Sequence, residues 1–276
     1  MMGCDIIILA GQSNAEGTGI GDGPIFNGDD RILQLYDPQD NGFAPNADGE
    51  MILKVKKPWQ FLIAPAKERF CDGCDRANFG LWFATEYIRR GFLENGRKIL
   101  IVNAAVGGTG FKRKHWGEGD ILSDRLYDML DTAFAQEDSR LVAFLWHQGE
   151  HDVFENMDLP RDCLQQRYHD ALLRLFSNVK NKCKQFRFPI IAAGVCEDYR
   201  VQNESYRTGC DAVLNATKTV CKEIGNAFVV DTHDLISNHQ AVGNNDKAHF
   251  CRQSLYVLGN RYFEKYELWH NTLDQA

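Results

Sequence analysis

Four short clusters of this chain carry side chains that together could hydrolyse an ester. Ser13, within Gly11-Gln12-Ser13-Asn14, supplies a hydroxyl nucleophile. His249 can be its base, and Asp246, three residues earlier, can fix the tautomer of that ring. Gly107-Gly108 offers backbone N–H groups with no side chain in the way. Gln148, within His147–Asp152, offers an amide donor to the same developing oxyanion. Acyl transfer needs a nucleophile, a base, an orienting acid and oxyanion donors, and the chain has a candidate for each. Glu150, two residues past Gln148, is a second acid that could support the histidine, while Gln12 and Asn14 flank the nucleophile. The competing reading of the first cluster is that Ser13 or Asn14 merely caps a helix, which both residue types do well.

These clusters work together only if the fold delivers them to one place. Residues 6–9 form a short apolar run ended by Ala10-Gly11, the pattern of a buried parallel strand. Further strands are expected over 31–36, 98–102, 140–146, 188–195 and, shorter, 227–231. Helical spacing of apolar residues predicts helices over 79–93, 120–136, 160–180, 207–224 and 253–268. Asp37–Glu50 reads as loop and residues 51–74 as an irregular insertion at the site edge. Strands alternating with helices imply βαβ crossovers, hence a mostly parallel sheet of five or six strands between helix layers in one domain, 1–276. In such a sheet ligands bind beyond the carboxyl ends of the strands. Three of the four clusters sit at such ends, so they should meet.

Here the sequence resembles a family. GQSN at 11–14, VGGTGF at 106–111, WHQGEHD at 146–152 and DKAH at 246–249 match, in order, the blocks of the SGNH hydrolases. The branch it is most similar to is the sialate O-acetylesterase and acetylxylan esterase group, carbohydrate esterase family 6 and its relatives. The resemblance implies a flavodoxin-like three-layer α/β/α sandwich. It implies Ser13 as nucleophile and backbone oxyanion donor, Gly108 as second donor, Gln148 as third donor, and His249 as base. The implied activity is removal of acetyl groups from sugar hydroxyls, with no metal or cofactor. His151 stands where relatives usually carry a small residue. The acid of the last block varies in this branch, which keeps Glu150 beside Asp246 as the support for His249.

Other motifs compete. His147-Gln-Gly-Glu-His151 fits the H-x-x-E-H zinc pattern, but that chemistry needs both histidines on one helical face. Here an apolar strand runs into the motif and Gly149 interrupts it, so no metal is expected. Asp231-Thr-His233 is a rival His/Asp source. The run 112–115 is either a solvated charge cluster or a contact to a substrate carboxylate. Trp116 and Trp146 are expected to pack rather than form a sugar platform. The lone Cys71-x-x-Cys74 has no second pair to complete a zinc site.

Composition narrows the class further. A net charge of −7 argues against nucleic acid or an anionic membrane as partner. The N-terminal apolar run is too short for a signal peptide, and the nine cysteines are odd in number and scattered. A cytoplasmic location is therefore expected. The pattern also admits a lipase- or thioesterase-like hydrolase of another acyl ester, or a glycan-binding module without catalysis. A pure binder would have no reason to keep serine, glycine, glutamine and histidine together.

Overall fold

The computed structural model describes residues 3–38, 42–46, 48 and 50–273. Its centre is β1, Cys4–Gly11, in which every residue is buried. Around it run β2 (Ile32–Tyr36), β3 (Leu62–Pro65), β4 (Lys98–Asn103), β5 (Arg140–His147), β6 (Ile190–Ala193) and β7 (Ala227–Val230). They form one sheet in the order β7-β6-β5-β1-β4-β2-β3. All neighbours are parallel except β3, which lies antiparallel on the β2 edge. The sheet thus has seven strands, not the expected five or six. The added strand comes from the stretch read as an irregular insertion. That stretch also contributes Met51–Leu53, paired with Phe43–Pro45, and Arg69–Cys71, paired with Cys74–Arg76. Strands of three or four residues with mostly exposed side chains show no apolar alternation, so periodicity could not reveal them. Within the stretch read as loop, residues 39–41, 47 and 49 lie outside the described residues.

Side-chain alternation along β5 shows how the helices divide. Phe144 and Trp146 meet Phe176 on the helix Arg161–Lys182, which pairs with Glu204–Ile224. His147, pointing to the opposite face, meets Phe79 at the start of the helix Phe79–Arg89. That helix packs on the C-terminal helix Arg252–Leu273, where Phe79 and Tyr262 stack with ring centroids 4.5 Å apart. Helices therefore cover both faces of the sheet. The predicted helices are all present, with ends shifted by a few residues. Among the described residues no helix is long and apolar enough to cross a membrane.

Strand register explains why the clusters converge. Leu9 lies opposite Asn103 on β4, and Gly11 lies opposite His147 on β5. The segments that follow each strand therefore leave the sheet side by side, at its carboxyl edge.

Candidate active site

Gly11 takes φ +127, and a Cβ there would lie 2.0 Å from the His147 carbonyl oxygen. Only glycine lets β1 close against β5 at that point. Gln12 N–H then donates to the same carbonyl at 2.9 Å, and the chain turns into the one-turn helix Ser13–Glu16. Gln12, not Ser13 or Asn14, holds the N-cap position and makes no side-chain cap bond. Ser13 N–H belongs to the first turn, where backbone N–H groups have no intrahelical acceptor.

Ser13 Oγ instead faces His249, 2.8 Å from Nε2. His249 Nδ1 lies 2.9 Å from Asp246 Oδ2, and His249 N–H donates to Asp246 Oδ1 at 3.2 Å. Asn238 Nδ2 donates to Asp246 Oδ2 at 2.9 Å. Burial pushes the Asp246 carboxyl up, but hydrogen bonds from His249 and Asn238 more than offset this, so it sits below the usual value. The three groups form a continuous line of hydrogen-bonding contacts, with the hydroxyl at one end and an ionised carboxylate at the other.

Asn14 clamps this arrangement. Its Nδ2 donates to Glu150 Oε1 at 2.8 Å and to the Ala248 carbonyl at 3.2 Å, and its Oδ1 accepts from Phe250 N–H at 3.0 Å. The residues on both sides of His249 are thereby tied to the residue after Ser13. Glu150 is buried and its Oε1 also meets His147 Nε2 at 3.3 Å. Its contacts are with Asn14 and His147, not with the ring of His249. Burial raises the Glu150 carboxyl and the His147 contact lowers it, with a net shift downward.

Gln148 anchors a second buried network. Its Nε2 lies 2.8 Å from Asp152 Oδ2, 3.1 Å from Gln12 Oε1 and 3.1 Å from the Thr109 carbonyl. Two N–H groups are thus shared among three acceptors. Asp152 also accepts from Phe111 N–H at 3.0 Å and Lys112 N–H at 3.2 Å, so it joins the glycine loop to Gln148. Within that loop Gly107 N–H is taken by Glu16 Oε2 at 2.9 Å. Gly108, at φ +70, has an N–H with no acceptor among the described residues. A Cβ on Gly107 would stand 3.4 Å from the Ser13 Cβ, so the loop lies directly against the nucleophile.

His115 supports the same loop, its Nδ1 accepting from Gly110 N–H at 3.1 Å. Burial, reinforced by His151 and Arg113, lowers its pKa to about 4. Protonation would also remove the acceptor that Gly110 uses. Because the folded value lies below the unfolded one, the neutral ring stabilises the fold fully above about pH 6.5, and this is lost as pH falls toward 4. The full effect is up to about 3 kcal/mol. Thermal melts between pH 7 and 4.5 should show a falling Tm, with a shallower slope in His115→Gln, whose amide oxygen can still accept. Parallel profiles would remove His115 as the source.

The competing motifs resolve into structural contacts. His147 ends a strand and His151 lies in the helix Glu150–Glu155, and their Nε2 atoms face different carboxylates, Glu150 and Glu155. Among the described residues no group of three or more His, Cys, Asp or Glu could hold a metal ion. His233 and Asp231 pair with each other at 2.6 Å on the exposed surface. Lys112 and Arg113 both turn onto Glu155. Trp116 and Trp146 are buried against each other. Four supporting residues carried no assigned role in the sequence: Asn238, Asp152, Tyr168 and Glu16. Asp152 stood within the recognised third block. Tyr168, whose hydroxyl donates to Gln148, was visible only as an apolar helix position. Nothing local marked Asn238.

Residues 3–267 match the family model described as carbohydrate esterase, sialic acid-specific acetylesterase. The chain belongs to that family. Sialic acid-specific acetylesterases are carbohydrate esterases, so this chain is a carboxylic ester hydrolase acting on O-acetylated carbohydrate. No curated protein matches it. Solved structures share the fold. NanS aligns with TM-score 0.70 at 14% identity, covering 97% of this chain and 98% of its own. A protein from Arabidopsis thaliana aligns with TM-score 0.67 at 20% identity, covering 96% and 98%. A carbohydrate acetylesterase from Xanthomonas citri aligns with TM-score 0.60 at 15% identity, covering 95% of this chain and 55% of that one.

Proposed function

We propose that Ser13 is the nucleophile of this esterase, His249 its general base and Asp246 the acid that orients the ring. The observation that carries this is the chain of contacts, Ser13 Oγ to His249 Nε2 at 2.8 Å and His249 Nδ1 to Asp246 Oδ2 at 2.9 Å. Ser13 Oγ bonds to the acetyl carbonyl carbon as its proton passes to His249 Nε2. The oxyanion rests on the N–H groups of Ser13 and Gly108, and on Gln148 once its amide releases one of its three acceptors. His249 returns the proton to the sugar oxygen, which leaves as a hydroxyl, and Ser13 remains acetylated. Water then loses a proton to His249 and attacks the acetyl group, and the collapse releases acetate and restores Ser13. The test is acetate release by purified protein from acetylated xylo-oligosaccharides and from O-acetylated sialic acid. Release from neither, with acyl chains of other length cleaved instead, would replace this reading with the other-ester hydrolase.

Gln148→Ala should lower kcat on the order of a hundredfold with little change in KM, the usual loss for one oxyanion donor. It should also lower Tm, because Gln12 Oε1, the Thr109 carbonyl and Asp152 lose a shared donor. A pure KM effect would assign Gln148 to substrate binding instead.

A further inference from the structure

All nine cysteines are free, and six of them, Cys4, Cys183, Cys196, Cys210, Cys221 and Cys251, are buried. Burial pushes the Cys183, Cys196 and Cys221 thiols up to about 12, which removes the thiolate that sulfur chemistry needs. The other three reach solvent. Cys163 is exposed on the helix Arg161–Lys182, in no strand pair. Cys71 and Cys74 end the two strands of the ribbon Arg69–Cys71 and Cys74–Arg76, where the antiparallel register sets them directly opposite each other. Asp72 at φ +51 and Gly73 at φ +80 make the two-residue turn between them, the left-handed pair that suits a twisted hairpin.

Opposed residues of an antiparallel pair share a face, with Cα atoms about 4.5–5.5 Å apart. A disulfide spans Cα separations of about 4.4–6.8 Å. The two thiols can therefore join by side-chain rotation with the backbone in place. Joining gives up little: Cys71 S–H donates to Asp72 Oδ2 at 3.4 Å and Cys74 S–H to the Cys71 carbonyl at 3.7 Å, both weak sulfur bonds. The stem of the ribbon braces the one-turn helix Ser13–Glu16. Arg69 Nη2 pairs with Glu16 Oε1 at 3.0 Å, and a Cβ on Gly17 would stand 3.4 Å from the Arg76 carbonyl oxygen. A two-stranded ribbon with three residues a side is marginal by itself, so a covalent link at its tip restrains its opening.

We propose that Cys71 and Cys74 are a modification site, at which a small-molecule disulfide is reduced to two thiols while the pair closes to a disulfide that pins the ribbon. Cys74, the more exposed thiol, loses its proton and attacks one sulfur of the incoming disulfide. That S–S bond breaks, and the small thiolate that leaves takes up a proton. The Cys71 thiolate then attacks Cys74 Sγ and expels the second small thiol. This second step is intramolecular between opposed residues, so the mixed disulfide does not persist. Cys163 has no opposed cysteine and keeps its adduct.

The test is incubation of the intact reduced protein with oxidised glutathione at about pH 8, near the ordinary thiol pKa of about 8.5, followed by peptide mass mapping without reduction. The expected result is loss of two hydrogens between Cys71 and Cys74, reversed by dithiothreitol, with glutathione retained on Cys163. Cys71→Ser should trap glutathione on Cys74. Amide hydrogen exchange over residues 69–76 should slow by about tenfold on oxidation of the wild type, from the freedom that so short a loop removes from the open ribbon, and should not change in Cys71→Ser. An unmodified pair, glutathione persisting on Cys71 or Cys74 in the wild type, or a bridge to any other cysteine would overturn the site. A bridge that leaves exchange unchanged would overturn the pinning. Serine at this solvent-facing turn should leave the fold intact, which a thermal melt checks, and the wild-type map decides the site without the variant. No readout uses ester hydrolysis, so the proposal and the esterase reading can fail separately.

Discussion

Ser13→Ala should abolish hydrolysis of a small acetyl ester, with kcat falling by more than about 10⁴-fold. The Ser13 hydroxyl lies 2.8 Å from His249 Nε2, two residues past the end of β1. Without it, no acyl-enzyme forms, and what remains is oxyanion stabilisation and substrate binding. The fold should survive. The substitution removes one hydrogen bond, a net cost of about 1 kcal/mol, and alanine suits a helical first turn. Initial rates with an acetyl ester, alongside a thermal melt, separate the two effects. Activity within tenfold of the wild type in a folded variant would remove Ser13 from the mechanism. Equal loss with a collapsed Tm would mean that the substitution had tested folding instead.

The parts of this molecule legible from sequence are those with a local signature. β1, β4 and β5 are short apolar runs ended by polar clusters, and burial on both faces marks them as inner strands of a parallel sheet. Once they are parallel neighbours, the meeting of Ser13, Gly108 and Gln148 follows from topology. The Asp246–His249 spacing was legible for the same reason, since one turn of chain suffices. β3 was not legible, because an edge strand of four mostly exposed residues has no buried face to impose alternation. Nor were the supports. Asn238, the first residue of the helix Asn238–Val242, reaches Asp246 eight positions on, and Asp152 reaches Phe111 and Lys112 from another strand end. Such contacts depend on loop conformation that residue types alone do not encode. Glu16 shows the limit most clearly. It is an acidic residue in a first turn, an ordinary helix feature, and only the fold places it on Gly107 N–H.

Asp246→Asn should lower kcat by about 10³- to 10⁴-fold, while Glu150→Gln should stay within about tenfold of wild type. Glu150 is buried and Asp246 half-buried, both near the histidine, and the difference comes from what each oxygen accepts. Asp246 uses both. Oδ1 accepts from His249 N–H, and Oδ2 accepts from Asn238 Nδ2 and faces His249 Nδ1. An asparagine must turn its NH₂ toward one of these donors in either orientation. It either sets the wrong ring tautomer or frays the loop, and it supplies no charge to the imidazolium that forms during attack. Glu150 uses one oxygen. Oε1 accepts from Asn14 Nδ2 and meets His147, whereas Oε2 has no partner among the described residues. A glutamine can keep its oxygen at the first position and place its NH₂ at the second. The change then costs stability through His147 more than rate. Its pH signature is distinct: the depressed Glu150 carboxyl stabilises the fold above its unfolded value, near pH 4.5, and this is lost as pH falls through the folded one. Glu150→Gln should therefore lower Tm at neutral pH and flatten its acid-side decline. Measuring kcat and Tm for both variants at neutral pH and at pH 4 decides the assignment. A nearly fully active Asp246→Asn beside an inactive, folded Glu150→Gln would make Glu150 the acid that supports His249.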